Sequence, residues 1–159
     1  GTDILINSIP SILNKYTNLI FIFAPRNMPY SKQYDSSLNI FNDKVRILEG
    51  ELNIPEYVAM SDLVVLPYPT LVGTEGNPSC MLEAMASKTK VVTTDLPELK
   101  EIAEDCVIMA NPGDLNSLIE KIDYALNNNL SKMVENAYEK SKEFDVEIIS
   151  KQFIELYES

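Results

Sequence analysis

Short apolar runs alternate with stretches of helical periodicity through the central part of this chain. The short runs are apolar throughout, as in strands that are buried on both faces. Strands that alternate with helices form parallel sheets joined by right-handed crossovers, and a length of 159 residues suits one domain. The sequence therefore predicts a single Rossmann-like α/β domain, residues 1–159, with strands at residues 19–23, 45–48, 63–66, 91–93 and 107–109.

The first stretch of the sequence allows two interpretations. Apolar residues recur at helical spacing through residues 3–16, where Thr2 is available as an N-cap and Pro10 is expected to kink the helix. Taken alone, residues 4–6 are also consistent with a strand, followed by a short helix after Pro10. The sequence favours the helix and leaves the strand as an alternative.

Further helices are predicted from periodicity and from signals at helix ends. Pro55 suits the first turn of a helix, and Asp114 is placed to cap another. The last third of the sequence contains only helices, so it must pack on the sheet or on something outside this chain. The predicted helices span residues 34–41, 54–60, 78–87, 98–103, 115–127, 131–142 and 146–157.

Charge and composition exclude several classes of function. The chain carries 13 basic and 24 acidic residues, a net charge of −11. Nucleic acids and anionic lipid surfaces both attract basic patches, so the charge argues against either partner. The sequence contains no histidine, which excludes a Ser-His-Asp triad, a histidine base and a histidine-ligated metal. We also expect no transmembrane segment and no signal peptide.

The two cysteines, Cys80 and Cys106, are too few and too far apart for a metal knuckle or a disulfide framework. Both lie in apolar or helical surroundings, so we expect buried free thiols. Free thiols indicate a reducing, cytoplasmic compartment.

Two glutamates, Glu75 and Glu83, are separated by seven residues and lie between two predicted strands. Glu75 belongs to a loop rich in glycine, asparagine and proline, whereas Glu83 belongs to the helix predicted at residues 78–87. Open α/β sheets bind ligands in loops at the carboxyl ends of their strands, and carboxylates accept hydrogen bonds from pairs of hydroxyls. The alternative is that Glu83 is a solvated helix residue and Glu75 an ordinary loop acid.

The order of several motifs resembles the C-terminal, nucleotide-sugar-binding domain of the GT-B glycosyltransferases of retaining family 4. Residues 75–86 resemble the family's signature of two glutamates, and residues 59–67 resemble the strand that precedes it. Each motif alone is weak evidence for the family, but chance matches would not preserve the order of the whole set along the chain. The other matching segments are residues 1–6, 18–24, 45–50, 111–114, 144–145, 152–153 and Tyr157.

The resemblance implies a site for a nucleotide-diphosphate sugar. Glu75 would accept hydrogen bonds from sugar hydroxyls near the reaction centre, and Glu83 would accept them from the 2′- and 3′-hydroxyls of the ribose. Amides at the start of the helix would face the sugar and the diphosphate, and residues after the strand at 45–48 would approach the base. No metal is implied, and no cofactor besides the donor. The other implied donor-binding residues are Gly50, Glu51, Leu52, Gly76, Asn77, Pro78, Ser79 and Leu82.

The chain departs from the family pattern at several places, and Asn77 and Ser79 stand where the family often has an aromatic and a small residue. The family's central first strand, and the basic residues after it that neutralise the departing diphosphate, would precede Gly1. Their absence is expected to leave a slot in the sheet between the strands near Leu19 and Leu63. We interpret the chain as a fragment; a slot filled by another chain, or closed by rearrangement, is the alternative. Lys88 and Lys90 stand where the family has glycine and proline.

The resemblance implies an enzyme that transfers a hexose or amino sugar, without a metal, to a glycan or lipid acceptor with retention of configuration. The acceptor-binding N-terminal domain is absent, so this chain is expected to bind a donor weakly and to transfer nothing. Residues 131–158 would cross toward that domain. We expect a cytoplasmic protein of glycan biosynthesis, without membrane contact through this domain.

Two other functions are alternatives. One is a catalytically silent nucleotide-sugar-binding or interaction module, which would use Glu83 without needing Glu75. The other, less favoured, is a flavodoxin-like signalling receiver. That fold needs an acidic cluster at strand ends, and Asp35, Asp62 and Asp95 do not lie there.

Overall fold

The computed structural model describes residues 1–25, 37–48, 50–72 and 78–158. Parallel strands flanked by helices confirm the predicted α/β class. The strands are β1 (Phe21–Phe23), β2 (Val45–Ile47), β3 (Leu63–Val65), β4 (Lys90–Thr94) and β5 (Ile108–Ala110). The helices are α1 (Thr2–Lys15), α2 (Ile54–Met60), α3 (Ser79–Ala86), α4 (Pro97–Ala103), α5 (Leu115–Asn127), α6 (Ser131–Ser141) and α7 (Val146–Glu158), with short 3-10 helices at Asn39–Lys44 and Lys142–Phe144.

The strands form two parallel sheets rather than one. β1 pairs with β2, and β3, β4 and β5 form a second sheet in that order. Among the described residues, none pairs with the free edge of β1 or of β3, so the two sheets are separated by a cleft. Several strands are shorter than predicted, because a ladder forms only where a strand has a neighbour.

α1 is a single helix, and the alternative of a strand at residues 4–6 is wrong. Ile6, Ile9 and Ile12 are buried along one face of this helix, and Pro10 lies inside it. The predicted cap is also wrong: Gly1 occupies the N-cap position, Thr2 is already helical, and no side chain in the described part of the chain caps the first turn. The packed apolar face is therefore what holds these residues in a helix.

β4 lies at the centre of the core and is buried on both faces. Val91 packs in a cluster with Met81 and Met85 of α3, and Val92 packs in another with Leu118 of α5. The two methionines are fully buried, as expected for core residues one helical turn apart. Burying each such side chain contributes about 1.5–3 kcal/mol, so α3 is held firmly against the sheet.

Lys88 lies just after α3, at the position where the family pattern has glycine. Lys88 adopts a left-handed backbone with a φ of 57°, a conformation that costs a non-glycine residue energy. Its Nζ forms an ion pair with Glu135 of α6 at 2.8 Å and lies 4.2 Å from the centre of the Tyr138 ring. Next to it, the hydroxyl of buried Thr89 donates to the carbonyl of Val58 at 2.9 Å. These contacts tie α3, α6 and α2 together.

The C-terminal helices differ in how they pack. α6 packs against α3, whereas α7 contacts the 3-10 helix before it and has no buried residue. Its exposed apolar residues include Val146, Phe153 and Tyr157. The prediction that residues 131–158 cross toward another domain stays a prediction.

Candidate functional site

α3 begins at the wall of a cavity of about 700 Å³. Pro78 precedes the helix in an extended conformation, and its carbonyl accepts hydrogen bonds from the amides of Met81 at 3.0 Å and Leu82 at 3.4 Å. Among the described residues, no side chain caps this end. The amides of Ser79 and Cys80 precede the first helical hydrogen bond, so the positive end of the helix borders the cavity.

Glu83 follows Ser79 by one helical turn, so the two residues share a face of α3. Ser79, Cys80 and Glu83 all line the cavity. Glu83 is half-buried, and none of the described residues forms a hydrogen bond or an ion pair with its carboxylate. A carboxylate in this position is an available acceptor for hydroxyl groups.

Residues from the loop after β2 form another part of the same cavity wall. Gly50 and Leu52 both line it. Gly50 has a φ of +94°, which favours glycine, and a Cβ placed there would meet nothing within 4 Å. The requirement for glycine is therefore conformational and not steric. The fold thus brings Gly50, Leu52, Ser79 and Glu83 of the predicted site to one cavity.

Buried threonines of β4 anchor the loop that leads toward α3. The hydroxyl of Thr93 donates to the carbonyl of Leu66 at 3.0 Å, and that of Thr94 donates to the carbonyl of Tyr68 at 2.7 Å. These bonds fix the path of the chain just beyond β3. The predicted site residues Glu75, Gly76 and Asn77 lie outside the described residues.

The remaining predicted donor-binding residues lie near the cavity but do not line it. Glu51 is exposed, and Pro78 is buried at the start of α3. Leu82 packs against the core cluster that contains Met81 and Met85. No contact in the structure tests their predicted role.

Cys80 is the clearest residue that sequence reasoning missed. It is exposed and lines the cavity, so the prediction of a buried thiol is wrong for this residue. The sequence signal that could have revealed Cys80 is its spacing: it precedes Glu83 by one helical turn, which places both side chains on the same face of α3. Nearby, burial raises the pKa of half-buried Tyr68 to about 12, with a smaller contribution from Cys80. Tyr68 therefore keeps its phenol proton in neutral solution.

Cys106 is half-buried between α4 and β5, and burial raises the pKa of its thiol.

Within residues 1–25, 37–48, 50–72 and 78–158, no group of three or more acidic or cysteine side chains could hold a metal ion. In the same residues, no helix is long and apolar enough to span a membrane.

The arrangement combines three recognition elements in one cavity. The helix start offers amides to an anion, Glu83 offers a carboxylate to hydroxyls, and residues such as Leu52 and Ile54 offer an apolar wall. Since α3 follows β3 through a single loop, this site lies at the carboxyl end of that strand. Open α/β sheets bind ligands at this edge. The geometry suits a ligand with a phosphate, a hydroxylated ring and a flat apolar group.

The model of the family "Glycosyl transferases group 1" matches residues 1–128 of this chain. No curated protein matches the sequence.

Several solved structures share the fold. A glycosyltransferase from Rickettsia africae has a TM-score of 0.80 and 18% identity, and the match covers 97% of this chain and 42% of that one. HepE from Anabaena, in complex with UDP and glucose, has a TM-score of 0.83 and 21% identity over 99% of this chain and 44% of that one. The C-terminal domain of LpcC, a group 1 family glycosyl transferase from Francisella tularensis, has a TM-score of 0.74 and 21% identity over 92% of this chain and 80% of that one. This chain therefore spans less than half the length of the first and second of these proteins.

Proposed function

We propose a donor-binding role for this chain, which belongs to the glycosyl transferases of group 1. It holds a nucleotide-diphosphate sugar for transfer by a longer enzyme. The observation that carries this proposal is the shared face of α3, where the amides of Ser79 and Cys80 and the carboxylate of Glu83 border one cavity and pair with none of the described residues. An anion and a pair of hydroxyls, both of which a nucleotide carries, suit these groups.

Each part of the donor has a place in this proposal. Glu83 accepts hydrogen bonds from the 2′- and 3′-hydroxyls of the ribose, and the amides that begin α3 face the diphosphate. The base lies against the loop that contains Gly50 and Leu52. Glu75, next along the loop before α3, accepts from the hydroxyls of the transferred sugar.

Uridine diphosphate donors are the first to test. HepE from Anabaena is solved with UDP-glucose, and TarM from Staphylococcus aureus is solved with UDP. Both share this fold at 20–21% identity, which supports the fold and leaves the base and the sugar open.

The finer features of the reaction belong to the same proposal. The intact enzyme transfers a hexose or amino sugar to a glycan or lipid acceptor with retention of configuration, and without a metal. The acceptor lies in a part of the protein outside this chain, which spans 45% of the HepE chain solved with UDP-glucose. We place the protein in the cytoplasm, in glycan biosynthesis.

Calorimetric titration with UDP, GDP, ADP and their sugar conjugates tests the proposal. We expect saturable binding of one diphosphate by this chain or by a longer protein that contains it. The variant Glu83→Gln keeps the size of the side chain and should bind markedly more weakly, whereas Glu101→Gln, at an exposed site on α4, should bind as the parent does. If neither protein binds any diphosphate, or if both variants bind equally well, the donor role is wrong.

A further inference from the structure

Tyr68 lies just beyond β3, in the segment that leads toward α3. Its half-buried ring packs against the core cluster that contains Met81 of α3. Its phenol feels the charge of the Cys80 thiol, in the first turn of the same helix, so the two groups are neighbours. Tyr68 therefore lies beside the end of α3 whose amides, those of Ser79 and Cys80, border the cavity.

The backbone of Tyr68 is held on both sides. Pro67 has a fixed φ, and Pro69 restricts the residue before it to an extended backbone. The amide of Tyr68 donates to the carbonyl of Leu66 at 3.0 Å, and its carbonyl accepts from the hydroxyl of Thr94 at 2.7 Å. Thr94 is itself buried in β4. The sheet therefore fixes the position of the tyrosine before a ligand binds.

The phenol hydroxyl is available to a ligand. It forms no hydrogen bond with any of the described residues. Its oxygen reaches solvent, because no fully buried side-chain oxygen in the described part of the chain lacks a partner. Burial of the ring raises the pKa of Tyr68 to about 12, so the hydroxyl stays protonated in neutral solution and can donate.

A neutral donor suits the electrostatics of this cavity. Its described lining residues include the acids Asp62 and Glu83 and no basic residue. An anion at the start of α3 is therefore stabilised there by amides and hydroxyls. A phenol adds a donor without forming an ion pair with Glu83, which leaves that carboxylate free to accept from hydroxyls.

We propose that the phenol hydroxyl of Tyr68 donates a hydrogen bond to the diphosphate of the donor, beside the amides of Ser79 and Cys80. This inference rests on the proposed donor-binding role and adds a phosphate contact from the end of β3. Negative charge grows on the diphosphate as its bond to the sugar breaks. The hydrogen bond therefore strengthens toward the transition state, and Tyr68 favours departure of the diphosphate.

Titrations of Tyr68→Phe test the proposal. The variant keeps the ring and loses only an unpaired hydroxyl, so its melting temperature, Tm, should change little. The ligands are UDP, GDP, ADP, the three nucleosides and inorganic pyrophosphate, followed by calorimetry or, for weak binding, by NMR. We expect the dissociation constant of the diphosphate that the parent binds to rise roughly 10- to 100-fold, with that of its nucleoside unchanged. Tyr124→Phe, at an exposed site on α5, should bind as the parent does.

Glu83→Gln should give a different pattern, because its carboxylate is assigned to the ribose. It should weaken the nucleoside and the diphosphate by a similar factor. If Tyr68→Phe binds the diphosphate as tightly as the parent and Glu83→Gln does not, the phosphate contact is wrong and the donor role stands. Equal weakening of nucleoside and diphosphate by Tyr68→Phe would also overturn the contact, since that pattern means a change in the shape of the site.

Inorganic pyrophosphate separates this inference from the donor role, because it carries the anion without base or ribose. We expect Tyr68→Phe to bind pyrophosphate more weakly than the parent, and Glu83→Gln to bind it as the parent does. If no nucleotide binds, the donor role fails, and weaker pyrophosphate binding by Tyr68→Phe would still support the anion contact. Equal binding by the two proteins, or none, would overturn it.

The phenol also has a spectroscopic signature. In protein labelled with ¹³C at tyrosine Cζ, the resonance of Tyr68 is assigned by its absence from Tyr68→Phe. This resonance should shift when pyrophosphate binds, because the hydroxyl gains an acceptor, and that of Tyr124 should not. Pyrophosphate binding without a shift of the Tyr68 resonance would contradict the proposal.

Discussion

Glu83 lies one helical turn after Ser79 on α3, and both residues line the same cavity. The pair places an acceptor for hydroxyls next to the positive end of a helix. This relationship is local, since it depends on a single helix. It therefore survives in a chain whose sheet is interrupted.

Replacing Glu83 with glutamine should weaken donor binding more than it changes stability. Hydrogen bonds to a charged acceptor contribute about 1.5–3 kcal/mol, so the dissociation constant is expected to rise by roughly 10- to 100-fold. Thermal unfolding should change little, because no described residue pairs with this carboxylate. A large loss of Tm with unchanged affinity would assign Glu83 a purely structural role.

Replacing Glu75 distinguishes an enzyme from a catalytically silent binding module. In the full-length protein, Glu75→Ala should abolish sugar transfer while donor affinity, measured by calorimetry, stays within a few-fold of the parent. We expect this because Glu75 would contact the transferred sugar and Glu83 the ribose. Normal transfer by the variant would favour the silent module.

Cys80 reports on occupancy of the cavity. In mildly alkaline solution an alkylating reagent should label exposed Cys80 before Cys106, because burial raises the pKa of the Cys106 thiol and leaves less thiolate there. A saturating donor should slow labelling of Cys80 and leave Cys106 unchanged. Mass spectrometry of the labelled peptides measures both, and equal protection of the two thiols would point to a global effect.

Asp114 should stabilise the protein in a pH-dependent way. Its carboxylate accepts from the Ser117 amide at 3.0 Å, and this bond holds the pKa of Asp114 below its ordinary value. The contribution is present above the ordinary carboxyl pKa and is lost as the pH falls through the lowered one. Asp114→Ala should lower Tm by roughly 2–4 °C at neutral pH and by less in acid.

Asp114→Asn is the matched control for that experiment. The asparagine side chain keeps an oxygen that can accept from the Ser117 amide, and it does not titrate. Its Tm difference from the parent should shrink in acid in parallel with that of Asp114→Ala, because neither variant titrates at this position, and should be smaller than that of Asp114→Ala at every pH. A pH-independent difference for Asp114→Ala would contradict the capping role of the charge.

Replacing Thr89 tests the contact between the end of α3 and α2. Its buried hydroxyl donates to the carbonyl of Val58. Thr89→Val keeps the shape of the side chain and removes that donor, at an expected cost of about 1 kcal/mol in the free energy of unfolding. Thr2→Val, at an exposed helical site, should cost much less. Urea denaturation of both variants measures the difference.

Local signals in the sequence were sufficient for several elements. α2 and α5 have the predicted bounds, residues 54–60 and 115–127, because Pro55 and Asp114 mark their starts. The predicted membership of a glycosyltransferase family is confirmed by the match over residues 1–128, since that prediction rested on the order of motifs along the chain. The predicted roles of the site residues stay predictions.

Tertiary structure decided the features that depend on neighbours distant in sequence. Residues 4–6 suit a strand or a helix locally, and packing of Ile6 and Ile9 selected the helix. Cys80 lies in an apolar pattern but faces a cavity that no local signal reveals.

With the exception of residues 4–6, the sequence by itself determined the type of the helices and strands named above, since periodicity and end signals act over a few residues. Only the tertiary structure decided that β1 and β3 leave a cleft between them, and that Gly50 and Glu83 share one cavity. The physical reason is that ladder hydrogen bonds and cavity walls are made by residues far apart in the chain. Their partners are therefore chosen by the packing of whole elements and not by the residues beside them.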